Sequence, residues 1–194
     1  NIKLKYDLAN FAKNSKLYEI SIKYYSEILK ELDNQSNLYA KILYRRGGSY
    51  ERIGNYKKAD DDLLNSLNIN SNDPYVMNYL GYSWLERNIN IKEAFILLEK
   101  ANKKKKDDPY ITDSIGWAYY LTGNFNKAEK FLRKAVLLMP DDPIVNDHYG
   151  DILWKLNRKI EARYFWKNVL KLEETEAEMR NKIKQKLIIG LEDA

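Results

Sequence analysis

Cysteine is missing from all 194 residues of this chain. Disulfides, thiolate nucleophiles and cysteine-ligated zinc are therefore excluded, and the redox compartment stays open. Proline numbers 4 and glycine 8, so turns are few and helix is favoured. No run approaches the ~18 apolar residues that span a bilayer. No charged start followed by an apolar stretch marks a signal peptide. The first residue is Asn rather than Met, so a processed or trimmed start is expected. The single histidine, His148, stands between Asp147 and Asp151, which is poor spacing for zinc. There is no glycine-rich phosphate loop, and Ser114 does not sit in a catalytic elbow. Catalysis, a cofactor, a metal and a small-molecule substrate are accordingly not expected.

What is present is charge and aromatic surface. Charged residues make up 31%, and the mean hydropathy is −0.64, which describes a well-hydrated exterior. The net charge of +5 is mild for a nucleic-acid binder, whose basic residues cluster on one face. The densest run, Lys103–Lys106, precedes Asp107-Asp108-Pro109. Lysines closing one helix and aspartates opening the next both suit the helix dipole. Nucleic acid is therefore a disfavoured partner. Asp60–Asp62 reads as the solvated face of a helix.

Gly47, Gly81, Gly116 and Gly150 recur at steps of 34, 35 and 34 residues. A period of this size marks an array of small supersecondary units. The clearest unit lies between Pro109 and Pro140, PYITDSIGWAYYLTGNFNKAEKFLRKAVLLMP. Apolar residues keep helical spacing on both sides of Gly123-Asn124, so the unit is a helix, a tight turn and an antiparallel helix. Gly116 and Ala128 let the two helices approach, Gly123 ends the first, and Tyr119, Phe125 and Leu132 fill the space between. Gly47 with Ala59, Gly81 with Ala94 and Gly150 with Ala162 repeat the register. A weaker first copy runs from Leu8 to Tyr25. Its longer step to Gly47 implies about four added residues near Asp33–Leu38, where polar composition fits a loop. The 35-residue step implies one extra residue in the Glu86–Ile91 turn. Asp73-Pro74, Asp108-Pro109 and Asp142-Pro143 each pair an N-cap carboxylate with proline at the first helical position.

These positions resemble the tetratricopeptide repeat, and the resemblance extends to about residue 172. The unit around Gly116 matches every signature position but the early Trp, where Thr112 stands. The resemblance implies an all-α fold, a right-handed α-solenoid of about five helix pairs in one array over residues 1–194. The pairs fall at about 2–36, 40–73, 74–108, 109–142 and 143–175, with a capping helix over 176–191 whose apolar face is Met179, Ile183, Leu187, Ile188 and Leu191. The first pair lacks such a cap, so more chain upstream is expected.

The resemblance also implies a non-catalytic protein or peptide binder that uses a concave groove lined by the first helices. Mapping the inward phase gives Lys41, Tyr44, Gly48, Glu51 and Arg52 in the second repeat, and Tyr75, Asn78, Tyr82 and Leu85 in the third. It gives Tyr110, Asp113, Trp117 and Tyr120 in the fourth, and Asp147, Asp151 and Trp154 in the fifth. Tyr79 and Tyr119 fall at phases nearer the core, and His148 at a packing position between repeats. Some family members clamp a peptide's C-terminal carboxylate with Lys and Asn side chains. Here only Asn10 matches; Tyr6, Arg45, Tyr75 and Tyr79 occupy the other four positions. Lys41 and Arg45, one turn apart, remain candidates for an anionic group. Gly-Trp-Ala-Tyr-Tyr (116–120), Asp-His-x-Gly-Asp (147–151) and Glu-Ala-Arg-x-x-Trp (161–166) resemble the end of bacterial cell-envelope repeat proteins. A periplasmic or envelope adaptor that assists assembly or a protease is the expectation. A homo-oligomeric structural module and an RNA-associated scaffold are the alternatives.

Overall fold

The structure, a computed structural model, describes residues 1–191. Among the described residues it is all-α, with eleven helices and no strand. Two compact units are present, Asn1–Arg87 and Asn88–Ala194.

The first unit holds α1 (Ile2–Asn14), α2 (Tyr18–Leu29), α3 (Asn37–Arg52), α4 (Tyr56–Ile69) and α5 (Pro74–Glu86). α1 pairs with α2 and α3 with α4, while α3 rests on α2 and α5 on α4. Ala9, Tyr25, Ile28 and Ile42 form a fully buried centre. The second unit holds α6 (Ile91–Lys104), α7 (Pro109–Leu121), α8 (Phe125–Leu138), α9 (Pro143–Lys155), α10 (Lys159–Lys171) and α11 (Ala177–Ile189). α7 pairs with α8 and α9 with α10; α6 rests on α7, and α11 on α10.

The small residues set how closely the pairs pack. A Cβ on Gly116 would fall 2.8 Å from Leu132, and one on Gly150 2.5 Å from the Trp166 indole. Ala59, Ala128 and Ala162, from the opposite helices, are buried. Asp73, Asp108 and Asp142 cap α5, α7 and α9, each with proline opening the helix. The turn after α7 passes through Gly123 at φ 76°, a left-handed conformation that costs glycine little.

Both irregular steps have local causes. The turn 87–90 is one residue longer than those at 53–55, 122–124 and 156–158. It holds two left-handed residues, Asn88 and Asn90. The longer early step is shared between loop and helix. The link 30–36 has seven residues against four at 70–73, 105–108 and 139–142, and α3, started at Asn37 by Ser36 accepting from the Tyr39 amide, is three residues longer than α5.

α11 packs through Ile183, which is fully buried, with Met179 and Leu187 half-buried. Ile188 departs from its expected place on this face: it is 79% exposed, because the helix turns its Lys186–Gly190 edge inward instead. The link from α10 is tied by one guanidinium. Arg180 donates to the carbonyls of Leu170, Leu172 and Thr175 at 2.6, 2.7 and 3.0 Å, satisfying the open end of α10.

Candidate functional site

In the first unit the face shared by α1, α3 and α5 is built on tyrosines and cations. Lys41 is exposed and Arg45 half-buried, one turn apart on α3. Both lie over the Tyr6 ring, at 6.0 and 5.4 Å from its centroid. Arg45 also donates to Asn10 Oδ1 at 3.1 Å, an oxygen that accepts from the Tyr25 hydroxyl at 2.7 Å. Asn10 is therefore a strut for Arg45. On α5, Tyr75 is 45% exposed, while Asn78 and Tyr82 are half-buried. The Asn78 Oδ1 is buried without a hydrogen-bond partner. Tyr79 is wedged between α3 and α5, edge-on to Tyr44 with its hydroxyl 3.2 Å from Glu51 Oε2.

In the second unit the corresponding residues form a packed network. Tyr110, at the start of α7, is 59% exposed and borders a cleft with Asp141, Asp142, Glu173 and Glu174. Trp117 is the middle ring of a stack, 4.5 Å from Tyr120 and 4.0 Å from His148, with planes within 8° and 10°. Two other rings thus lie against it, although the sequence placed it on an open groove wall. Asp113 is buried and meets His148 Nδ1 at 2.9 Å through one carboxylate oxygen. Its other oxygen is buried without a hydrogen-bond partner. Burial lowers the His148 pKa, but Asp113, Asp147 and Asp151 outweigh it, so the imidazole titrates above its ordinary value.

The acidic end already has a cation. Lys186 of α11 places Nζ 2.6 Å from Asp147 and 2.8 Å from both Asp151 oxygens. Asp151 also accepts from the Trp166 indole at 3.0 Å. Burial and the neighbouring Asp147 carry the Asp151 pKa up to about 6, against the opposing pull of Lys186. Trp154 is half-buried beside Trp166, with Gly190, the residue that closes α11, against its ring and the Arg163 guanidinium 4.7 Å from its centroid. The three sequence motifs around residues 116–120, 147–151 and 161–166 thus converge through Trp117, His148, Asp151 and Trp166.

Lys186 was not among the residues the sequence proposed for the site; its amphipathic helix signalled a cap, but not which charge the cap would carry inward. The expected solvated face at Asp60–Asp62 is corrected. Asp62 is buried and accepts two 2.7 Å bonds from Arg46, and Asp60 accepts from Arg87 at 3.1 and 2.6 Å. Only Asp61 is exposed, because consecutive helical residues point about 100° apart.

Two family profiles, each described as a tetratricopeptide repeat, match residues 40–73 and 113–142. The chain carries tetratricopeptide repeats. A TPR repeat-containing protein of Pseudomonas aeruginosa is 33% identical over 125 residues, a match covering 64% of this chain and 20% of that protein. One of Methanocaldococcus jannaschii is 35% identical over 83 residues, covering 42% of this chain and 14% of its own length. The chain thus spans about a fifth or less of these curated relatives. Among solved structures, a thermophilic TPR protein of Thermus thermophilus superposes with TM-score 0.79 at 18% identity, covering 97% of this chain and 100% of its own. PilF of Pseudomonas aeruginosa gives TM-score 0.74 at 16% identity, covering 96% and 86%. MamA of Desulfovibrio magneticus gives 0.69 at 20% identity, covering 91% and 97%. At these identities the likeness establishes the fold alone, that of a tetratricopeptide solenoid. None of the described helices is long and apolar enough to cross a membrane.

Proposed function

We propose that this chain is a non-catalytic scaffold, docking a peptide or partner segment on its first-helix faces. The observation that carries this is the pair Tyr75 and Tyr110, second residues of α5 and α7, which keep 45% and 59% of their surface exposed. Aromatic side chains held out at the same register offer large contact area at low entropic cost. The sequence motifs that meet at Trp117, His148 and Trp166 support an adaptor of the bacterial envelope, periplasmic or membrane-associated, that serves assembly or a protease. A photo-crosslinking side chain at 75 or 110 should trap the same partner in cells, while one at the exposed Leu137 or Ile160 should trap none. Crosslinks confined to 137 and 160 would count decisively against the reading.

A second reading has its own support. α1 exposes Leu4, Leu8 and Phe11, one stripe at helical spacing, by 58, 39 and 69%. Pairing of two copies through this stripe would make the chain a homo-oligomeric module. A monomer by sedimentation at all concentrations removes that reading.

A further inference from the structure

Two sets stand out among the cations of the first unit. Arg46 and Arg87 are closed by Asp62 and Asp60, and Lys5 by Glu27 and Glu31. The other set is Lys13 on α1 with Lys41, Arg45 and Arg52 on α3. Among the described residues no carboxylate forms an ion pair with these four. They are held by neutral groups instead. Arg45 rests on Tyr6 and Asn10, and Lys41 on Tyr6. Arg52 lies 5.8 Å over the Tyr18 ring and donates to its hydroxyl at 3.2 Å. Such partners fix orientation without cancelling charge.

Lys13 is the unusual member. It is half-buried, and its ammonium sits over the bare backbone of Gly48, 3.7 Å from where a Cβ would be. Burial, then Arg45 and Arg52, push its pKa below the ordinary lysine value. Glu51, beside Arg52 in sequence and acting on it through charge, accepts from the Tyr79 hydroxyl at 3.2 Å. A half-buried ammonium that feels the charge of two guanidinium groups is costly unless something anionic joins it.

We propose that the α1–α3 face of the first unit binds an acidic segment of a partner protein, through internal Asp or Glu side chains lying along Lys41, Arg45, Lys13 and Arg52. This deepens the scaffold reading and rests on it. Lys41 to Arg52 spans about 16 Å at 1.5 Å per residue, too long for one terminal carboxylate. An extended segment with acids at every second position repeats at about 6.7 Å, close to the roughly 6 Å between Lys41 and Arg45. Beside Lys41 and Arg45 a cleft of about 310 Å³, bordered by Tyr44 and Tyr75, has room for an intervening side chain. Its one acid, Asp73, is committed to capping α5. Nucleic acid fits less well. The rings that could stack on bases, Tyr6 and Tyr18, already carry cations on their faces.

The test is fluorescence anisotropy on the full chain with a labelled, C-terminally amidated peptide of alternating Glu and Ser. Its counterpart carries Gln in place of Glu. The acidic peptide should bind, weaken with salt, and lose roughly tenfold or more in affinity with Lys13→Gln or Arg52→Gln, as for a lost hydrogen bond between charged groups. A free C-terminus should add little. The variants' folding is checked by thermal denaturation, where Lys13→Gln should hold or raise the midpoint because like-charge repulsion is relieved. Equal affinity for the Gln peptide, no effect of either variant, or tighter binding of a short single-stranded RNA would each overturn the proposal. The first two leave the scaffold reading intact provided crosslinking at 75 and 110 still traps a partner; loss of that crosslinking is the separate failure of the scaffold reading.

Discussion

Gly150 shows how one residue sets a helix-pair distance. Any side chain there would enter the ring of Trp166, which is itself fully buried and hydrogen-bonded to Asp151. Trp166 cannot retreat without giving up that bond, so Gly150→Ala should destabilise by about 1–3 kcal/mol, the range for overpacking a close-packed core. Gly54 is the contrasting case. It has φ 75° and nothing within 4 Å of an added Cβ, so its role is conformational. Gly54→Asn should cost under about 1 kcal/mol, since asparagine tolerates the left-handed region; Asn157 already fills the matching turn with φ 62°. Urea denaturation of the two variants checks the order. Equal losses would refute the packing account of Gly150.

α11 is an element held by few contacts. Its fully buried residue is Ile183, and its polar anchors are Arg180 on the end of α10 and Lys186 on Asp147 and Asp151. Breaking a buried ion pair costs roughly 3–5 kcal/mol when one charge is left uncompensated. The Lys186 side chain keeps 18% of its exposure, which places Lys186→Ala at the lower end, about 3 kcal/mol. The loss should be local. Amide exchange across Ala177–Ile189 should quicken, with α8 unaffected. Uniform change along the chain, or none, would argue that Lys186 is not what docks the helix.

At the scale of the whole molecule, stability should depend on pH through His148. Its folded pKa lies above the unfolded value near 6.5, raised by Asp113, Asp147 and Asp151 against the lowering effect of burial. A raised histidine contributes stability that is complete below pH 6.5 and lost as pH rises through the folded value. Asp151, carried from 3.8 to about 6, acts with the same sign in the window below. The thermal midpoint of the full chain should therefore fall as the pH is raised above 6.5, and His148→Gln should flatten that slope. A wild-type midpoint that is level or rising over this range would contradict the assignment. Because each repeat is stabilised by itself and its immediate neighbours, the effect belongs to the unit containing α7, α9 and α11.

The repeat glycines with their opposing alanines, the three Asp-Pro helix starts and the extra residue before α6 were all legible in the sequence. Each depends on local backbone geometry and on a helical period that fixes which side of a helix a residue occupies. What lay on the far side of that face was not legible. Arg46 meets Asp62 across 16 residues, Arg87 meets Asp60 across 27, and Lys186 meets Asp147 across 39. Periodicity marks a residue as inward but not whether a ring will stack on it, as Tyr120 and His148 do on Trp117. The sequence by itself determined the all-α repeat, its phase and its helix ends. Only the tertiary structure decided which charges are cancelled and which stand open. Ion pairing is settled by a few ångströms between side chains from different helices, whereas repeat phase is settled within each one.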